Sequence, residues 1–232
     1  MDRNLENLEK KLGIKFKDKD LLRTALVHRS YINEHKDFAL DQNERLEFLG
    51  DAVLELVVTM HLFNNYKDDE GVLTNWRSSL VNGDRLSEQS ERLGVYDFMY
   101  LSRGEAKDNN PKARSYILAN VFESIVGAIY LDQGYDPSKK FIEDNLLIHL
   151  PKIIEDKAYI DSKSMFQERA QEFIGVTPRY KVLAESGPDH NKKFIVGVYL
   201  EKELVAQGEG YSKQEAQSNA ADEGLKVKKW SK

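Results

Sequence analysis

Between Asn43 and Leu56 the chain reads Asn-Glu-Arg-Leu-Glu-Phe-Leu-Gly-Asp-Ala-Val-Leu-Glu-Leu, and the spacing of its acids can do chemistry. Glu47, Asp51 and Glu55 recur every fourth residue, which lines three carboxylates along one stripe of a helix, with Glu44 close beside it. Like charges at that spacing cost an isolated helix roughly 0.2–0.5 kcal/mol per pair. Only Arg45 stands among them, whereas a solvated face ordinarily interleaves lysines. Two readings are open at this point. One is an acidic surface stripe; the other is a set of hard oxygen donors for Mg²⁺ held on a rigid element. Gly50, inside the same helix, costs about 1 kcal/mol relative to alanine and predicts the close approach of a neighbouring backbone.

The elements that would position this stripe are helical. Apolar residues recur at three-to-four spacing in Leu5, Leu8 and Leu12, in Leu21, Leu22, Ala25 and Leu26, and from Leu46 through Met60. A second long apolar helix is predicted from Ile117 to Leu131, and a last one from Pro137 to Leu150, ended by Pro151. Breaks are expected at Gly13, at Asn33–Asp37, at Asp68–Gly71 and in a loop from Gly104 to Arg114. Beyond Pro151 the period changes. A helix over Ser164–Phe173 precedes strands at Tyr180–Glu185, Phe194–Leu200 and Leu204–Gly210, the second alternating cleanly in Phe194, Val196, Val198 and Leu200. Ser212 and Glu215 form a capping-box pattern ahead of a final helix. Its Ala216, Ala220 and Gly224 leave a flat face for packing on a sheet. The predicted fold class is therefore a multidomain chain, an all-α domain followed by an α+β domain of α-β-β-β-α order. Domains are expected at 1–153 and 161–230, with a linker at 154–160.

Composition narrows the partners. No run of eighteen apolar residues is present, which predicts no membrane partner. A charged N-terminal stretch without an apolar segment predicts no secretory signal. With no cysteine, disulfides and thiolate metal sites are excluded, and a cytoplasmic setting is expected. The formal net charge of −5 argues at first against nucleic acid. From Ile160 onward, however, Lys and Arg number roughly twelve against eleven acids, so the acidity sits in the first two-thirds. Charge alone decides nothing between a metal nuclease and an ordinary acidic enzyme.

The segment Asn43–Leu54 resembles the ribonuclease III signature almost residue for residue. Other stretches agree with that resemblance: Leu26-Val27-His28-Arg29-Ser30-Tyr31, Asp69–Thr74 with Arg77 and Leu80–Asn82, and Ile117–Ala119 with Phe122-Glu123 and Gly127–Asp132. The resemblance implies a homodimeric Mg²⁺-dependent endonuclease for double-stranded RNA, with Mn²⁺ as a substitute and no small-molecule cofactor. It further implies 5′-phosphate and 3′-hydroxyl products and work in rRNA and mRNA processing. By motif match the metal ligands would be Glu47, Asp51, Asn120 and Glu123, with Asp51 and Glu123 catalytic, and Phe48 would lie at the dimer interface or in ordinary core. Position 120 departs from the family, which usually has aspartate there. Asn120 is then a tolerated ligand, an introduced substitution, or the mark of a dsRNA-binding protein with impaired cleavage. The loop Lys107–Lys112 also lacks the paired glycines often seen in the family. His28 reads as a hydrogen-bonded structural histidine, and Asp68-Asp69-Glu70 as an acidic turn with Glu70 near the RNA.

The stretch from Ser162 to Leu225 resembles a double-stranded-RNA-binding domain. Such domains read A-form shape across two minor grooves and the phosphates between them. The resemblance assigns RNA contact to Ser164, Gln167, Glu168, Pro188, His190 and Lys213, the last at a helix N-terminus that favours phosphate. Gln214 and Gln217 occupy places where lysine is frequent, which predicts weaker binding and a shallower salt dependence; Lys192 and Lys193 are candidates to compensate.

Overall fold

Side chains that satisfy the first free amides of each helix set most of the helix starts in this protein. Asn4 accepts the Asn7 N–H, Asp18 that of Asp20, Asn82 that of Arg85 and Asn110 that of Lys112. The computed structural model describes residues 4–155, 162–188 and 192–230. Its helices in the first unit are α1 (Leu5–Leu12), α2 (Lys19–Ala25), α3 (Arg29–Glu34), α4 (Glu44–Asn65), α5 (Glu70–Leu80), α6 (Gly83–Arg92), α7 (Pro111–Gln133), α8 (Tyr135–Asn145) and α9 (Leu150–Glu155). The chain divides into two units, Met1–Tyr159 and Ile160–Lys232.

The centre of the first unit is the pair α4 and α7. Eleven residues of α7, from Ile117 to Ile129, are buried, and they point in every direction around the helix. A helix apolar all round must be surrounded. Leu22 of α2, Leu54 of α4, Leu86 of α6 and Phe141 of α8 close over it, all essentially without solvent contact. Phe122 meets Phe141 at 5.5 Å between ring centroids. Buried hydroxyls tie down groups that would otherwise be stranded: Ser90 Oγ donates to the Leu118 carbonyl at 2.7 Å.

Two predicted boundaries need correction, both at proline. The helix expected to run from Pro137 to Leu150 ends at Asn145, and Pro151 lies inside the first turn of α9. The loop expected to reach Arg114 stops at Asn110, and Pro111 opens α7. In both places proline sits where a helix has no N–H to lose, so it marks a beginning. Of the expected linker at 154–160, residues 154 and 155 belong to α9 and the rest lie outside the described residues.

The second unit is α10 (Ser162–Ile174), then the strands β1 (Arg179–Ser186), β2 (Lys193–Leu200) and β3 (Glu203–Gly210), then α11 (Lys213–Lys228). The sheet is antiparallel in the order β1-β2-β3, with Val182 opposite Val196 and Val196 opposite Gly208. Val196, Val198 and Leu200 are buried, as the alternation predicts, while Phe194, the first of the four alternating residues, is half-buried. Ala216, Ala220 and Ala221 of α11 are also buried. A Cβ on Gly208 would stand 2.1 Å from the Ala220 backbone nitrogen, so the helix lies directly on the strand. Ser212 Oγ accepts the Glu215 N–H at 3.1 Å, while Glu215 reaches back to the Tyr211 N–H at 2.7 Å. The capping box is present, with its return bond one residue further out than the pattern prescribes.

Candidate active site

Helices α4 and α7 cross with backbone against backbone. A Cβ on Gly50 would lie 1.8 Å from the Glu123 carbonyl oxygen, and one on Gly127 would lie 2.2 Å from the Leu46 carbonyl oxygen. The close approach expected from Gly50 is thus realised, and a second glycine mirrors it. That contact brings the acids of α4 beside Glu123 of α7. Around them run further ties. Ser124 Oγ donates to the Asn120 carbonyl at 2.8 Å and lies 3.4 Å from the Asn43 carbonyl. Asn43 is buried, its side chain donating to the Ala25 carbonyl at 3.3 Å. Sequence reasoning gave Asn43 and Ser124 no role. Ser124 stands out as a polar residue within an apolar helix, but what it and Asn43 bond to is fixed only by the fold.

Of the three carboxylates on the predicted stripe, the crossing keeps two. Glu55 is ion-paired with Arg77 of α5 at 3.0 Å and so is neutralised by a neighbouring helix. Glu47 and Asp51 stay with Glu123. Burial pushes the Glu123 carboxyl up to about 7, helped by the charges of Asp51 and then Glu47. Burial also raises Glu47, with Glu44 and Asp51 adding to the effect and a hydrogen bond with Asn120 opposing it. Four of the expected site residues, Glu47, Asp51, Asn120 and Glu123, are therefore together at one helix crossing. Among the described residues, no three carboxylate or imidazole groups are drawn in to the spacing of a closed metal cage. Such a cluster of like charges is unfavourable by itself and favours a bound cation or a shared proton.

The other sequence-predicted residues are placed as follows. Phe48 is 81% exposed, so within one chain it is not core. His28 caps α3: its Nδ1 accepts the Ser30 N–H at 3.3 Å and lies 2.8 Å from Ser30 Oγ, and burial lowers its pKa. That is a structural histidine. Ser164, Gln167 and Glu168 share an exposed face of α10. Pro188 is exposed, while His190 lies outside the described residues. Lys213 opens α11 and stands 3.6 Å from Glu185, which also holds Lys192 at 3.3 Å. Lys193 is paired with Glu209. The two lysines expected to compensate for Gln214 and Gln217 are thus already engaged by acids of their own sheet.

A carboxylate cluster at a helix crossing, followed by an α-β-β-β-α unit, defines a nuclease unit joined to an RNA-reading unit. Comparison with known proteins agrees: residues 18–150 match the family model described as Ribonuclease-III-like, and residues 162–228 match the double-stranded RNA binding motif. The chain is 42% identical over 228 residues to the protein named Ribonuclease 3 of a Nitratiruptor species, covering 98% of each. It is 43% identical over 226 residues to Ribonuclease 3 of Leptospira interrogans, covering 95% of this chain and 89% of that one. Among solved structures, the nuclease domain of ribonuclease III from Campylobacter jejuni is similar with a TM-score of 0.54 at 41% identity, over 61% of this chain and 98% of that one. The chain belongs to the ribonuclease III family and is an endoribonuclease with a double-stranded-RNA-binding domain. No helix among its described residues is long and apolar enough to cross a membrane.

Proposed function

We propose that the enzyme hydrolyses double-stranded RNA with Mg²⁺, or Mn²⁺ as a substitute, held by Glu47, Asp51, Asn120 and Glu123. The observation that carries this reading is the α4–α7 crossing, which sets Glu47, Asp51, Asn120 and Glu123 together; burial, and then the charges of Asp51 and Glu47, push Glu123 up to about 7. Two half-buried carboxylates, Glu47 and Glu123, with the exposed Asp51 and an amide oxygen are a donor set that a hard divalent cation fits, and a cation there would restore Glu123 to its charged form. When bound, the ion supplies Lewis acidity toward the phosphodiester. Glu47, Asp51 and Glu123 provide the negative charge, with Asp51 and Glu123 carrying catalysis. Asn120 adds a neutral oxygen and orients Glu47 through their hydrogen bond. Products with 5′-phosphate and 3′-hydroxyl ends, cytoplasmic work on rRNA and mRNA precursors, and no small-molecule cofactor complete the reading.

The working form in this proposal is a homodimer. Phe48 at 81% exposure, Leu56 at 51% and Phe63 at 69% run along one side of α4. An apolar stripe of that kind is what a partner covers. The nuclease domain of ribonuclease III from Campylobacter jejuni has structural flexibility in a region involved in dimer formation, which supports the same use here. In the second unit Ser164, Gln167 and Glu168 would face one minor groove, the segment of Pro188 and His190 the next, and Lys213 the phosphates between.

The test is cleavage of a long duplex RNA with Mg²⁺, with EDTA, and by Asn120→Asp. Cutting that needs Mg²⁺ supports the proposal and makes Asn120 a working ligand. Cutting by Asn120→Asp alone would assign the unsubstituted chain to binding without efficient cleavage.

A further inference from the structure

Beside the carboxylate cluster lies a cavity of about 680 Å³ whose wall includes Glu47 and Asn120 themselves. The near side is Tyr116, one turn before Asn120 on α7 and 69% exposed. Residues 116, 120 and 123 share one face of that helix by their four- and three-residue spacing, so Tyr116 stands on the side of α7 that carries Asn120 and Glu123. An exposed tyrosine offers a rigid aromatic surface at small entropic cost. Tyr116 stands just ahead of the buried run of α7, which begins at Ile117, and so lies at the solvent-facing start of that helix.

The chemistry of the cavity says what it can hold. Its wall carries the carboxylates of Glu44, Glu47 and Glu105 against one guanidinium, that of Arg29. Arg29 stands 3.9 Å from Glu44 with most of its side chain in solvent. A phosphate entering such a space would meet more negative charge than positive. Groups that donate hydrogen bonds would meet acceptors on several sides, including the amide oxygen of Asn33 or Asn120. In A-form RNA the wide minor groove presents such donors, the 2′-hydroxyls and the amino edges of bases.

The geometry points to Tyr116 as a substrate-contacting residue: its ring packs on the nucleotide beside the scissile phosphate, and the cavity receives that nucleotide's ribose 2′-hydroxyl and base edge. This deepens the nuclease reading and rests on it. It adds a sugar-reading subsite to the nuclease unit, separate from the RNA-reading face of α10.

The experiment uses the full-length chain, its Tyr116→Ala and Tyr116→Phe variants, and two duplexes. One duplex is all ribose; the other carries 2′-deoxy nucleotides on either side of the cut. Tyr116→Ala is expected to raise KM for the ribose duplex about tenfold with kcat little changed, the size of a lost aromatic contact to one nucleotide. Tyr116→Phe keeps the ring and is expected to keep the native KM. The deoxy duplex should raise KM for the native enzyme, and Tyr116→Ala should blunt that difference because both changes remove parts of one contact. A native KM for Tyr116→Ala, or effects of the variant and the deoxy substitution that simply multiply, would overturn the subsite while leaving the nuclease reading intact. Failure of the native chain to cut the ribose duplex would remove both.

Discussion

Gly50 and Gly127 face each other across the α4–α7 crossing, each filling a space in which the other helix's backbone leaves no room for a side chain. The contact is shorter than ordinary ridge-in-groove packing allows, since even a methyl group on Gly50 would overlap the Glu123 carbonyl. It is also what brings Asp51, the residue after Gly50, to Glu123. The geometry of the site is therefore set by two residues with no chemistry of their own.

Gly50→Ala tests this. Forcing a methyl into a contact of 1.8 Å pushes the helices apart, and overpacking of that kind costs about 1–3 kcal/mol or more. Urea unfolding should show a lower midpoint, and the folded fraction should cut poorly because the carboxylates no longer converge. A variant with native stability and native cleavage would mean that the crossing adjusts freely.

The elevated Glu123 makes stability depend on pH in a definite direction. Its folded pKa of about 7 lies above the ordinary 4.5, so folding takes up a proton between those values, and stability falls as pH rises from about 4.5 to about 7. Glu47, also raised, acts in the same sense. His28, His61 and His149 are lowered and act in the opposite sense, so the comparison is a difference between two proteins. Melting temperatures in chelator should fall less between pH 5 and pH 8 for Glu123→Gln than for the native chain. Equal pH profiles would place Glu123 in an ordinary environment.

If the stripe through Phe48 carries the dimer, Phe48→Lys should shift the protein toward monomer in sedimentation experiments at micromolar concentration. A central apolar anchor removed from an interface commonly costs about 2 kcal/mol or more, roughly thirtyfold in Kd. Unchanged association would direct attention to the rest of α4.

Glu185 restrains Lys192 and Lys213 together. Glu185→Gln should therefore tighten duplex binding and steepen its salt dependence, since each added phosphate contact contributes about −0.9 to the slope of log K against log salt. Fluorescence anisotropy across a potassium chloride series reads both. A slope that stays the same would show that the acid does not compete with RNA for these lysines.

What could be read from the sequence, and what could not, divides along physical lines. The spacing of Glu47 and Asp51, the glycine between them and the alternation of β2 are local, and each is borne out by the structure. The fate of Glu55 was not local: its partner Arg77 sits on another helix, and no pattern within α4 distinguishes a neutralised acid from a free one. Phe48 shows the same limit, because a core and an interface ask for the same side chain at the same spacing. Pro151 was misread because a proline that stops one helix and a proline that starts the next look alike along the chain. Roles for Asn43 and Ser124 required the fold, since each is explained only by the element it ties down.

Ser124 Oγ and the Asn43 carbonyl, 3.4 Å apart, are separated by 81 positions of the chain. Glu47 and Asp51 thus leave the ribosome long before Asn120 and Glu123, and contacts of such separation form only after the intervening loop has been closed. Until α7 docks, a growing or truncated chain holds Glu47 and Asp51 without Asn120 and Glu123 beside them. On the proposed roles of these four residues, cleavage would begin only once the chain has been made through α7.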